Sequence, residues 1–103
     1  MINEDIKKLA HNLVNYSCSL KKGEKVLIDA IGVPNDLPIA IVEEAYKVGA
    51  YPFVNVIDNS IQRAIYSGLN EEQTKLWADI DSVRMKNMTS EYGAEIIPLN
   101  FPT

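Results

Sequence analysis

The sequence predicts an α/β fold: a three-layer-like βαβ unit with a short parallel sheet and about four helices, which by itself looks incomplete. Three observations carry this. Two short β-rich apolar runs flank a stretch with helical apolar spacing, the first run is apolar almost without interruption, and glycines stand where helices must stop before strands begin. A near-continuous apolar strand is covered on both faces, which is how parallel strands lie beneath their crossover helices.

The elements follow in order. Asn3 is placed to cap a first helix with Glu4 and Asp5 in its opening turn, and Ile6, Leu9, Ala10, Leu13, Val14 and Leu20 then recur at helical spacing. Its other face carries Lys7, Lys8, His11, Asn12 and Asn15. Lys21-Lys22-Gly23-Glu24 makes a turn into the first strand, Val26-Leu27-Ile28-Asp29-Ala30-Ile31. After the loop Gly32-Val33-Pro34-Asn35, Asp36 is expected to cap the second helix, with Pro38 in its first turn. Ile41, Val42, Ala45 and Val48 form its apolar stripe and Gly49 its stop. Tyr51-Pro52-Phe53-Val54-Asn55-Val56-Ile57 is the second strand, broken by Asp58-Asn59-Ser60.

A short helix is expected over 61–69. Asn70, with Gln73 three residues on, then signals the start of a fourth helix whose apolar face is Leu76, Trp77, Ile80 and Val83. The stretch 89–103 has no periodicity and reads as an edge strand or a loose tail. Two parallel strands alone leave open hydrogen-bonding edges and are marginal. A further strand is therefore expected from the tail, from a second chain or from sequence outside this one.

Composition excludes several function classes. At 103 residues, 47% apolar and 23% charged, the chain is one small globular domain. Its charge of −4 and scattered lysines give no basic stripe for nucleic acid. No apolar run approaches the roughly 20 residues of a membrane span, and the acidic N-terminus is no secretory signal, so a cytoplasmic location is expected. One cysteine, Cys18, permits no internal disulfide and fits a packing role.

Chemistry-bearing constellations are sparse. The single histidine, His11, has no second histidine and no carboxylate four residues away on its face, while catalytic zinc takes three protein ligands. Asp79 and Asp81 do not face each other on a helix, Glu71 and Glu72 suit a helix start, and Glu43-Glu44 reads as a solvated face. No serine sits in a nucleophile elbow, and no glycine-rich phosphate cradle is present. Ligands of open α/β sheets bind beyond the carboxyl ends of the strands. Asn35, Asp36, Asp58, Asn59 and Arg63 lie there and are the candidate ligand or interface residues, although helix capping accounts for the same residue types.

Leu20-Lys21-Lys22-Gly23-Glu24-Lys25-Val26-Leu27-Ile28 is similar to the opening of the thermophilic aminopeptidase family, the aminopeptidase T type. Val42-Glu43-Glu44-Ala45-Tyr46-Lys47-Val48-Gly49-Ala50, Val56-Ile57-Asp58, Arg63-Ala64, Trp77-Ala78-Asp79 and Ser82-Val83-Arg84-Met85 resemble its first domain in the same order. The likeness covers about 1–88, giving a partial N-terminal α/β domain there and a divergent tail over 89–103. It implies a cytosolic, commonly homodimeric exopeptidase acting on peptides, in which two divalent ions, zinc, cobalt or similar, activate water. The family's ligands belong to a second domain, so the resemblance assigns no catalytic or metal residue here and implies a chain inactive by itself. The rival expectation is a free-standing α/β module that holds a small ligand or a partner's edge strand.

Overall fold

A computed structural model describes residues 3–100. Helix α1, Glu4–Asn12, starts where Asn3 accepts a hydrogen bond from the Ile6 amide. It widens into a π-helical turn, Leu13–Ser17, so the helix ends earlier than its apolar spacing suggests. Leu20, expected on that stripe, lies beyond the helix but is still buried, 5% exposed.

Strands β1, Lys25–Ile31, and β2, Tyr51–Ile57, run parallel with Lys25 opposite Tyr51 and Ile31 opposite Ile57. Helix α2, Asp36–Lys47, connects them. Helices α3, Asn59–Ser67, and α4, Glu71–Lys86, lead through a π-helical turn, Asn87–Glu91, to β3, Glu95–Asn100. The tail thus supplies the third strand, parallel to β1, and the sheet order is β2-β1-β3. Prolines 52 and 98 are tolerated because both lie on edge strands.

The core sits on one face of this sheet. Val26 and Ile28 of β1 and Ile97 and Leu99 of β3 meet Ala10 and Val14 from the first helical segment and Leu37, Ala40, Ile41 and Ala45 of α2. Period-two alternation turns Leu27, Asp29 and Ile31 to the other face. There the cover is thin: α3 and α4 bury no residue, and Leu76, Trp77, Ile80 and Val83 are 56%, 48%, 69% and 60% exposed. The stripe expected to pack is solvent-facing because α4 stands off the sheet instead of seating on it.

Candidate functional site

The second face of the sheet holds a cavity of about 660 Å³. The parallel register puts Asp29 opposite Asn55, and the Asn55 side-chain amide donates to Asp29 Oδ1 at 2.9 Å. Arg84 of α4 reaches the same carboxylate, 3.1 Å from Oδ2, and holds Asp81, one turn back on its own helix, at 2.8 Å. A carboxylate in the middle of an apolar strand needs such partners, because an unpaired buried charge is costly. The hydrogen bonds from Arg84 to Asp81, then to Asp29, hold the guanidinium firmly in its charged form. Around this polar floor, Ile31, Ile57, Ile65 and Leu69 supply apolar walls, with Tyr66 and Trp77 at the sides.

A second cluster joins α1 to α2. Glu44 is 9% exposed, with His11 Nδ1 3.2 Å from Oε2 and Lys47 Nζ 3.2 Å from Oε1. Burial pushes its carboxyl pKa up, but the hydrogen bonds from Lys47 and His11 outweigh that and leave it below the ordinary carboxylate value. The reading of Glu43-Glu44 as a solvated face therefore holds for Glu43 and fails for Glu44. Glu44 falls three residues after buried Ile41, on the packed side of α2. His11 likewise has a carboxylate partner, supplied by a neighbouring helix and not by its own. The adjacent recess, about 370 Å³, is lined by Lys7, Lys8, His11, Asn12 and Glu44, and its two ammonium groups repel a cation.

The residues expected at the strand ends are only partly brought together. Asp58, not Asn59, caps α3: its carboxylate accepts from the Ser60 amide at 2.7 Å and from the Ser60 hydroxyl. The Ser60 hydroxyl, then its amide, hold the Asp58 carboxyl below the usual value. Asn59 is the first residue of α3, and its side chain fills the space where a Cβ on Gly32 would stand. Asp36 is not the cap of α2 either. Asn35 occupies that position, but its backbone is already helical, φ −64° and ψ −22°, and it makes no side-chain cap bond. Side-chain caps need an extended backbone, which Asn3, Asp58 and Asn70 have. Arg63 is exposed on α3, and none of these five residues lines the cavity.

Sequence reasoning missed the Asp29–Arg84–Asp81 cluster. Its signal was the one charge inside an otherwise apolar strand. Cys18 is half-buried, and burial, then the charge of Glu95, raise its pKa, which suits an inert packing thiol. Among the described residues, no three His, Cys, Asp or Glu side chains converge to hold a metal ion, and no helix is long and apolar enough to cross a membrane.

Comparison with known proteins adds three findings. Residues 2–99 match the family of thermophilic metalloproteases (M29), so the likeness continues past Met88 and into β3. Among solved structures, wild-type AmpT from Thermus thermophilus superposes with a TM-score of 0.58 and 26% identity, over 70% of this chain and 18% of that one. A tRNA U34 carboxymethyltransferase of Trichodesmium erythraeum (strain IMS101) is 34% identical over 77 residues, covering 60% of this chain and 23% of that protein. The chain thus spans less than a quarter of either relative. Parallel α/β units serve many unrelated activities, so a likeness to a minor part of the methyltransferase carries no activity with it.

Proposed function

The chain belongs to the thermophilic metalloprotease (M29) family, and from that membership we propose that it forms the N-terminal α/β part of a metal-dependent aminopeptidase that releases N-terminal residues from peptides. Its role in the whole enzyme is to shape substrate access and to support assembly, including a homodimer. The family match along 2–99 carries the reading, and the α/β likeness to AmpT supports it.

The described residues do not fit a divalent metal site. His11 is engaged by Glu44 and Asn15, and Asp29 by Arg84 and Asn55. Catalytic zinc sites instead converge three ligands with an open position. On this reading the two ions, zinc, cobalt or similar, belong to residues outside this chain, and no step of the reaction runs through it. The strand-end segments bearing Asn35, Asp36, Asp58, Asn59 and Arg63, two of them caps and three within α2 and α3, then face the rest of the enzyme or its substrate.

The purified chain is expected to show no turnover of an N-terminal leucine substrate with cobalt or zinc present. Metal-dependent release of leucine would overturn the proposal.

A further inference from the structure

The two faces of the sheet are unequally served. The first is packed by α1 and α2 over β1 and β3, with only Val54 and Val56 of the edge strand β2 left exposed among its described apolar residues, whereas the second leaves a cavity of about 660 Å³ beside the exposed Trp77 and Ile80. The chain as a whole is also open. The accessible surface is 7158 Å² for 11.5 kDa, while a folded monomer of that mass exposes roughly 5,800 Å². The excess, on the order of 1,000 Å², is what one side of a stable interface covers. The radius of gyration, 15.0 Å, likewise exceeds the about 13 Å of a closed domain this size.

We propose that this groove is the seat of one further amphipathic helix from the same polypeptide in the complete enzyme, with an apolar stripe against Trp77, Ile80 and Ile57 and a basic residue toward Asp29 and Asp81. The proposal rests on the reading of the chain as part of a longer aminopeptidase. Topology selects this occupant. Right-handed crossovers put helices on opposite faces when the chain moves in opposite directions along the sheet. The step from β1 to β2 carries α2 on the packed face, and the return from β2 past β1 to β3 carries α3 and α4 on the other. A step onward from β3, away from β1, continues in that second direction, so its helix lands on the face that holds the cavity. The charges select its chemistry: Asp29 and Asp81 outnumber Arg84, so the polar floor attracts a cation.

Trp77 is the only tryptophan of the chain and half exposed, so it reports on the groove. The probe is a capped Leu/Lys peptide of about 18 residues with leucines at helical spacing, compared with a scrambled peptide of the same composition. The helical peptide is expected to shift Trp77 emission to shorter wavelength, the scrambled one to leave it unchanged. Ile80→Asp, at an exposed position, is expected to weaken the response at least tenfold while the circular dichroism spectrum is kept. An equal response to both peptides, or none, would overturn the proposal. A blue shift that grows with protein concentration alone, with dimers in light scattering, would assign the groove to a second copy. Binding of indole without a response to the helix would make it a small-molecule cavity. Leucine release by the chain alone would refute the fragment reading but leave the titration readable, so the two failures are distinguishable.

Discussion

Glu44 illustrates how a single residue changes role once its neighbours are in place. Its carboxylate is buried between α1 and α2 and compensated by His11 and Lys47. With its folded pKa lowered, the stability it contributes is fully present above the ordinary carboxylate pKa of about 4.3 and is lost as pH falls through the lowered folded value. Glu44→Gln is therefore expected to cost about 1 kcal/mol near neutral pH, with the gap to the wild-type chain closing as the solution is acidified below about pH 4. Urea melts at several pH values measure this, and a pH-independent gap would refute the assignment. Asp29 is the counterpart on the other face, where Arg84 and Asn55 make a charge tolerable inside a strand. Its presence was visible in the sequence, but its partners, 55 and 26 residues away, were not.

At the scale of elements, local rules set most boundaries. Asn3, Asp58 and Asn70 cap their helices through their own side chains, and β2 spans the residues its β-rich run marks. The junction between β1 and α2 depends on more than local chemistry. Gly32 has φ +66°, and a Cβ there would stand 2.1 Å from Asn59 Oδ1, while its amide donates to the Ile57 carbonyl at 2.9 Å. Gly32→Ala is expected to cost about 2 kcal/mol. Adding Asn59→Ala is expected to recover roughly half, leaving the backbone strain alone. Equilibrium unfolding of the single and double variants measures the coupling, and strict additivity would show that the two residues do not meet.

For the whole molecule, the uneven cover of the sheet is the governing feature. Trp77, Leu76, Ile80 and Val83 form a helical stripe with the spacing of a core face, yet all are exposed. Acrylamide is accordingly expected to quench Trp77 nearly as well as a free indole derivative, and its emission to lie at the long-wavelength end for proteins. A shielded, blue-shifted Trp77 in dilute solution would show that α4 closes onto the sheet unaided. The polar groups that are buried serve to join its layers.

The sequence by itself determined the α/β class, the first two strands, the helix caps that rest on an extended Asx residue, and the family likeness, because each depends on spacing or on neighbours a few residues away. Tertiary structure alone decided that residues 95–100 complete the sheet beside β1, that Glu44 meets His11 of α1 and Asp29 meets Arg84 of α4, and that the stripe of α4 stays uncovered. Those outcomes depend on which segments meet across the sheet. Periodicity marks a face as apolar, but whether that face is buried depends on what the rest of the fold lays against it.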